Sequence, residues 1–412
     1  MIPRTQTLEV ELSTKCTLSC SECPRVLHKS SISQWNAGFL KTKPFLDNVD
    51  DYNNKFILSG AYGDPIYHPD FAEILHTLVN KPINPKIKIE TNGGYTSEEK
   101  YHKIGQAISS NSENRVQFTM SVDGSLNNFT QYRTNGDRVG TEAGFRILPE
   151  YGVKVNWKFI SFDYNTNFET LKQMYDTAVS YGIYNIELMH SHRAKPGEYV
   201  SVEKFIKAVD ELYQYSNNIQ SNFKPLITLG IAPYYRVAFP ETDPITTHQL
   251  WSGNVGRLNK SNSNSVSQMI KEKSQPRPKV KITETIDPKT TLKRADAVPT
   301  ISEHSNKWQN KIKPQCIYNN HQNFIGADGV YLPCCWLHAD GPVTKEKIKN
   351  LIGGSFDELS IYNNTFDEIV KSKSWAMLSD NFLNISVCHQ KCPAQDKMPT
   401  VDKSRQGLAV IR

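Results

Sequence analysis

The sequence has no cysteine between Cys23 and Cys316, although the 412-residue chain contains eight. Disulfide-stabilised domains are small and dense in cysteine, so this distribution argues against a disulfide framework. The chain also lacks an apolar run of about 18 residues, the length that a membrane helix needs, and the apolar core of a secretory signal. We therefore expect a cytoplasmic chain without a membrane partner, whose clustered, reduced thiols hold a metal.

The net charge of +6 is a local property of one segment and not of the whole chain. Arg257–Ala295 contains ten Lys or Arg and three Asp or Glu, a net charge of +7, which leaves about −1 for the rest. A solvated connector is the favoured interpretation. Nucleic-acid binding is the less favoured one, because no aromatic residues interleave with the basic ones.

Strand-like and helix-like segments alternate from residue 8 to about residue 220. Such alternation indicates βαβ units and a parallel sheet, either an open barrel or a doubly wound sheet. The predicted strands are Leu8–Ser13, Phe56–Ser59, Ile87–Thr91, Val116–Val122, Val153–Ile160 and Tyr184–Met189. The predicted helices include Phe71–Val79, Phe145–Tyr151 and Phe168–Tyr181.

Apolar and polar residues alternate within these strands, as in Val116–Val122. Side chains of a strand point to its two faces in turn, so one face packs on helices and the other is polar. We expect a partial (βα)6 TIM-like barrel whose polar lumen holds a ligand. An antiparallel sheet with one wet face is the alternative. The lumen residues expected on the substrate side are Glu9, Glu90, Gln117, Thr119, Asn156, Lys158 and Glu187.

The first three cysteines follow the first strand with the spacing C-x3-C-x2-C, as Cys16, Cys20 and Cys23. Three thiolates on one short loop can bind three irons of a [4Fe–4S] cluster and leave the fourth iron open to another ligand. Zinc is the alternative, although a structural zinc site needs four ligands in paired spacing.

This loop, placed directly after the first strand of a βα fold, resembles the signature of the radical SAM superfamily. Further motifs match in order. Gly63 and Asp64 stand where the family has Gly-Gly-Glu-Pro, with Tyr62 in place of the first glycine of that motif. In the family an aromatic residue often precedes the third cysteine, where this chain has Glu22. The resemblance implies that S-adenosylmethionine (SAM) contacts Gly63, Asp64, Thr91, Asn92, Ser121, Asp123 and Arg133.

The resemblance also implies the chemistry. In the family, SAM chelates the open iron, and an electron from the reduced cluster cleaves SAM to methionine and a 5′-deoxyadenosyl radical. That radical removes a hydrogen atom from the substrate. A reducing electron donor of the flavodoxin or ferredoxin type is therefore an expected partner.

The remaining cysteines lie near the end of the chain. A hairpin turn is predicted over residues 326–329, which would return the chain from Cys316 towards Cys334. Four thiolates, from Cys316, Cys334, Cys388 and Cys392, would close a second [4Fe–4S] cluster, and Cys335 could exchange roles with Cys334. This pattern resembles the SPASM or twitch auxiliary-cluster extension, and zinc held by four cysteines is the alternative.

These features divide the chain into a radical SAM core over residues 1–230, a basic connector over 231–310 and a small cluster domain, a β-hairpin plus helix, over 311–412. Lys158, Glu187, His190 and His192 are the candidate catalytic residues. His192 follows the sixth strand, at the edge where barrel active sites form. His338 and His389 are taken as bystanders.

The expected reaction is a net oxidation of a small molecule or of a side chain. A peptide- or protein-modifying enzyme is the alternative, which we rank lower because the first strand begins near residue 8 and leaves no room for an N-terminal peptide-binding domain. A non-catalytic protein that binds zinc and nucleic acid is a second alternative.

Overall fold

A computed structural model describes residues 4–27, 38–94, 96–111, 115–190, 200–231, 316, 322–339, 342–385, 387–388 and 392. The basic connector lies outside the described residues except for Ile231, and so do His192 and His389. The three domain boundaries remain predictions.

A nine-stranded sheet forms the centre of the fold, with the order β7-β6-β5-β4-β3-β2-β1-β8-β9. All neighbouring strands from β7 to β8 are parallel, and only β8 and β9 pair antiparallel. The strands are β1 (Thr7–Glu11), β2 (Lys55–Ser59), β3 (Lys86–Thr91), β4 (Arg115–Ser121), β5 (Lys154–Ser161), β6 (Asn185–His190), β7 (Leu226–Ile231), β8 (Gln322–Ile325) and β9 (Tyr331–Leu332). The parallel partial-barrel prediction is confirmed, and β7 is an additional strand.

Helices follow the strands in the alternating order that the sequence predicts. They are α1 (Pro24–Leu27), α2 (Thr42–Asn48), α3 (Phe71–Val79), α4 (Glu98–Ser109), α5 (Arg138–Glu150), α6 (Phe168–Tyr181), α7 (Val202–Asn218), α8 (Trp336–Ala339), α9 (Pro342–Leu351), α10 (Phe366–Lys371) and α11 (Lys373–Asp380). Ser97, Asn167 and Ser201 begin α4, α6 and α7 by accepting a hydrogen bond from a first-turn amide. Among the described residues no helix has the length and apolar character to cross a membrane.

The two faces of the sheet differ as the alternation predicts. Leu8 and Val10 on β1 are fully buried, and Trp157 on β5 stacks on Phe145 of α5 with ring centroids 4.3 Å apart. The opposite face carries Glu9 and its polar neighbours on the other strands. The core therefore lies between the sheet and its helices, and the polar face is available for a ligand.

The C-terminal hairpin continues the same sheet. Strand β8 pairs parallel with β1 and places Phe324 beside Glu9, and β9 then returns antiparallel. Behind the hairpin, Tyr331 stacks on Trp375 of α11 at 5.3 Å. The predicted hairpin plus helix is confirmed, and this pairing brings Cys334 and Cys335 to the end of the sheet where the first cysteine loop lies.

Candidate active site

A cleft of about 280 Å³ lies at the carboxyl ends of the first strands. This edge of a parallel barrel is where active sites form. The cleft is lined by residues of both cysteine-containing regions and by most of the predicted SAM ligands. The predicted residues that line it are Cys16, Cys20, Cys23, Gly63, Asp64, Thr91, Asn92, Ser121 and Arg133, together with the predicted lumen residues Glu9 and Glu90.

The loop that carries the first three cysteines is held by backbone contacts. The Arg25 guanidinium donates to the carbonyl oxygens of Cys16, at 2.5 Å, and of Leu18, at 3.2 Å. The Ser19 amide donates to the Thr134 carbonyl oxygen at 2.9 Å. Burial, followed by the neighbouring Asp64 carboxylate, raises the pKa of Cys16 to about 12.

Asp64 is the centre of a buried hydrogen-bond network that joins three strand ends. Its carboxylate accepts hydrogen bonds from the Thr91 hydroxyl at 2.7 Å, the Asn92 amide at 2.6 Å and the Ile66 amide at 3.1 Å. The Asn92 side-chain nitrogen lies 2.6 Å from Asp64 Oδ2 and 3.5 Å from Cys16 Sγ. Burial raises the pKa of Asp64, although these donors act in the opposite direction.

Gly63 allows the Asp64 turn to pack against the cysteine loop. A Cβ atom added at Gly63 would lie 1.9 Å from the Ser13 carbonyl oxygen, a distance that no side chain tolerates. The next amide, that of Asp64, donates to the Lys15 carbonyl oxygen at 2.9 Å. The glycine is therefore required by a close backbone approach immediately before Cys16.

Arg133 and Asp123 form an ion pair beside Cys20. Arg133 Nε lies 2.6 Å from Asp123 Oδ2, and the other carboxylate oxygen accepts a hydrogen bond from the Ile160 amide at 2.7 Å. Asp123 is fully buried and does not line the cleft, whereas Arg133 does. Asp123 consequently orients the guanidinium that faces the cleft.

Two of the candidate catalytic residues lie on the polar face as predicted. Lys158 and Glu187 are register neighbours on β5 and β6. Lys158 Nζ lies 3.8 Å from Glu90 Oε1, and Lys88 Nζ lies 2.5 Å from the same oxygen. Glu187 Oε2 accepts a hydrogen bond from the Asn156 side-chain nitrogen at 3.0 Å. Burial raises the pKa of Glu90, but Lys158 and Lys88 outweigh it and bring the value to about 2.

His190 lies on the opposite face of the sheet from the cleft. It is 3% exposed, its Nε2 lies 2.9 Å from the Val200 carbonyl oxygen, and its ring meets Phe205 of α7 edge-on at 5.3 Å. Strand parity explains this position, because Ile186 and Leu188 share its face and are fully buried. The structure therefore does not bring His190 together with the other candidate residues.

Cys316 lies within electrostatic range of the three other cysteines predicted as its ligand set. Burial raises the pKa of Cys316, and so does the negative charge of Cys334, Cys388 and Cys392. Cys335 instead hydrogen-bonds to Cys334 and to Glu9, and it lines the cleft. Thiols are the donors that iron–sulfur clusters and zinc take, so both cysteine sets fit such a group chemically. Within the described ranges, however, no three His, Cys, Asp or Glu side chains are already arranged around a metal position.

A buried contact joins the turn after β2, which carries Asp64, to helix α8 of the C-terminal region. It involves residues to which the sequence pattern assigns no role. His338 Nε2 lies 2.8 Å from Glu11 Oε2, and the Tyr62 amide donates to Glu11 Oε1 at 2.7 Å. The Tyr62 hydroxyl donates to the His338 carbonyl oxygen at 2.9 Å. We call these three residues the Glu11 bridge. Its one signal in the sequence is Tyr62 at a position where the resembled motif has glycine.

Comparison with known proteins found no matching family model and no matching curated protein. Solved structures do match. SuiB of Streptococcus suis matches with a TM-score of 0.47 and 11% identity, over 81% of this chain and 61% of SuiB, and anSMEcpe with bound AdoMet matches with a TM-score of 0.45 and 12% identity, over 94% of this chain and 88% of anSMEcpe. A radical SAM methyltransferase of Sphaerobacter thermophilus matches with a TM-score of 0.37 and 13% identity, over 54% of this chain and 65% of the methyltransferase. This chain covers less than two thirds of the length of SuiB.

The structural neighbours are radical SAM enzymes, the superfamily that the sequence motifs resemble. With TM-scores below 0.5 and identities of 15% or less, the likeness carries no argument about ligand, substrate or reaction.

Proposed function

We propose that this chain is a radical SAM enzyme. The observation that supports the proposal best is the Asp64 network, which ties the ends of two strands to the thiol of Cys16 through Asn92. The resemblance places a carboxylate at this position against the amino group of SAM, whereas the zinc alternative assigns Asp64 no role.

The roles of the residues follow from their positions. Cys16, Cys20 and Cys23 would hold a [4Fe–4S] cluster, and Asp64 accepts hydrogen bonds at the point where the resemblance puts the SAM amino group. Arg133, oriented by Asp123, supplies a cation for the SAM carboxylate. Bound at this site, the cluster and SAM would supply hydrogen-atom removal from substrate, through one-electron cleavage of SAM to methionine and a 5′-deoxyadenosyl radical.

A second cluster at the C-terminal cysteines is part of the proposal. Cys316, Cys334, Cys388 and Cys392 would hold it, and Cys334 is preferred because Cys335 is turned to Glu9 and the cleft. Such a cluster could accept an electron, which makes net oxidation of the substrate the leading reaction. The expected partner is a reducing donor of the flavodoxin or ferredoxin type.

Modification of a peptide is the alternative reaction. Solved structures of SuiB with the precursor peptide SuiA and of anSMEcpe with the peptide Cp18Cys are among the structural matches. The choice between a small molecule and a peptide therefore remains for experiment.

Metal content after anaerobic purification tests the proposal. Two [4Fe–4S] clusters predict about eight irons per chain and a brown protein that forms 5′-deoxyadenosine when reduced with SAM. The matched control is Cys335→Ala, which should keep about eight irons if Cys334 is the ligand. A colourless protein that contains only zinc would contradict the enzyme assignment.

Single cysteine substitutions separate the two sites. We expect Cys16→Ala to abolish 5′-deoxyadenosine formation, because the open cluster loses a ligand, whereas Cys388→Ala should spare SAM cleavage and impair substrate turnover. Quantification of 5′-deoxyadenosine and of iron decides between these outcomes. SAM cleavage by Cys16→Ala would show that the N-terminal loop has another role.

A further inference from the structure

One part of the cleft has a chemistry that SAM and the clusters do not account for. It is formed by β1, β8 and α8, and its members are Glu9, Phe324, Cys335 and Trp336, which we call the Glu9 subsite. Register pairing sets Glu9 beside Phe324, and the thiol of Cys335 hydrogen-bonds to the Glu9 carboxylate. The subsite thus combines a carboxylate with aromatic and thiol surface.

Among the residues that the structure describes, all donors to the Glu9 carboxylate are neutral. Its carboxylate accepts hydrogen bonds from the Ser59 hydroxyl at 2.8 Å and from the Gln322 side-chain amide at 2.5 Å. Among the described residues, no lysine, arginine or histidine forms an ion pair with it. Burial raises the pKa of Glu9, and the nearby charge of Glu90 adds to that effect.

Three other carboxylates of the sheet and its loops are each matched by a basic group. Glu90 has Lys88 at 2.5 Å and Lys158 at 3.8 Å, and Asp123 has Arg133 at 2.6 Å. Glu11 contacts His338 at 2.8 Å. Burying a carboxylate without an opposite charge raises the free energy of the folded state. A cationic group of a ligand would lower it by pairing with Glu9.

Trp336 supports the same conclusion independently. Its side chain is 38% exposed, although it lines the cleft and belongs to a helix whose next residue, Leu337, is buried. The face of an indole attracts ammonium groups, and the attraction strengthens where water is partly excluded. A carboxylate and an accessible indole that line the same cleft are a combination that recognises organic cations.

We propose that the Glu9 subsite binds an amino group of the substrate, with Glu9 as the counter-charge and Trp336 as the aromatic contact. The inference rests on the proposed function in that the cleft is taken as the substrate site. Asp64, the other cleft carboxylate with neutral donors only, is the position that the resemblance gives to the amino group of SAM. The substrate class is therefore an amine, whether a small molecule or an amino group of a peptide.

Benzylammonium and benzyl alcohol form a matched pair of probes, because they share the ring and differ in charge. Dissociation constants from ligand-detected NMR titrations of the anaerobically purified protein, with and without SAM, measure the preference. We expect the wild type to bind benzylammonium about tenfold more tightly than the alcohol, the equivalent of one well-placed charge interaction. Glu9→Gln keeps the shape and should lose that preference.

Two further variants test the aromatic contact of the subsite and provide a control carboxylate elsewhere in the fold. Trp336→Leu should weaken benzylammonium binding about threefold through loss of the cation–π contact. Glu142→Gln is the control, because Glu142 also accepts a hydroxyl hydrogen bond, from Tyr181 at 2.7 Å, and lies on helix α5. It should keep the full preference. Thermal unfolding of each variant confirms that it is folded.

The outcomes distinguish this inference from the proposed function. Equal binding of both probes to the wild type, or an unchanged preference in Glu9→Gln, overturns the inference and leaves SAM cleavage untouched. Mutual exclusion of benzylammonium and SAM also overturns it, because the cation of the subsite would then be SAM itself. A preserved preference in a protein that forms no 5′-deoxyadenosine supports the amine subsite and rejects the radical SAM function.

Discussion

The N-terminal and C-terminal cysteine groups are built in different ways. Cys16, Cys20 and Cys23 lie within eight residues on one loop, whose backbone is held by the Arg25 side chain and by the Thr134 carbonyl oxygen. The C-terminal group consists of Cys316, Cys334, Cys388 and Cys392, which belong to three separate segments of the chain. A local site depends on spacing, whereas an assembled site depends on the packing that brings its segments together.

The two groups are not independent, because the Glu11 bridge connects them. Tyr62 belongs to the turn that carries Asp64, and His338 belongs to the helix that follows Cys334. All three bridge residues are buried, with 1% exposure or less. Substitutions in the bridge and in the Asp64 turn therefore show which group depends on the other.

The largest effect on stability is expected from His338→Ala. It removes the only basic group that contacts the buried Glu11 carboxylate among the described residues and leaves it the Tyr62 amide, so we expect a loss of about 3 kcal/mol in the free energy of unfolding. Urea denaturation measures the loss. His102→Ala, which removes a half-buried contact with Tyr151 on the outer helices, is the control and should cost less. A loss no greater than that of the control would mean that the bridge does not hold the two regions together.

Gly63→Ala addresses the turn that packs against the N-terminal cysteine loop. The new Cβ would collide with the Ser13 carbonyl oxygen, so we expect the turn to move, at a cost of about 2 kcal/mol, and SAM binding to be lost. Gly38→Ala is the matched control, since its Cβ would meet nothing closer than 3.7 Å. Equilibrium dialysis with SAM and iron analysis give the result. Retained SAM affinity in Gly63→Ala would contradict the role of the close approach.

The difference between the two cysteine groups also explains what the sequence could predict. Strands over Phe56–Ser59 and Ile87–Thr91, and helices α3 and α6, follow from periodicity, because local patterns decide them. The pairing of β8 with β1 could not be predicted from the sequence, because it joins residues more than 300 positions apart. For the same reason the sequence alone does not predict the Glu11 bridge, which includes His338. His190 does not face the cleft, because the register of β6 places it on the same face as Ile186 and Leu188, which packs against the helices.

Tyr62→Phe is a smaller change to the Glu11 bridge than His338→Ala. It removes only the hydroxyl that donates to the His338 carbonyl oxygen and keeps the backbone contact with Glu11. We expect a loss of about 1 kcal/mol in stability, the usual contribution of one buried hydrogen bond. Tyr181→Phe removes a hydroxyl bonded to Glu142 and serves as the control. If Tyr62→Phe lowers SAM affinity as well and Tyr181→Phe does not, the bridge helps to position the Asp64 turn.

The smallest effect is a pH dependence that belongs to the barrel and not to the C-terminal cysteines. Lys158 and Lys88 hold the pKa of Glu90 at about 2, against burial and below its ordinary value of 4.5. A carboxyl group with a depressed pKa contributes stability above its ordinary pKa and loses it as the pH falls towards the folded value. Because the Glu90 side chain is 30% exposed, we expect a contribution of only about 1 kcal/mol. The free energies of unfolding of wild type and Glu90→Gln should therefore differ at pH 7 and converge between pH 4.5 and 2. A difference that stays constant over that range would show that Glu90 gains no net stability from its two lysines.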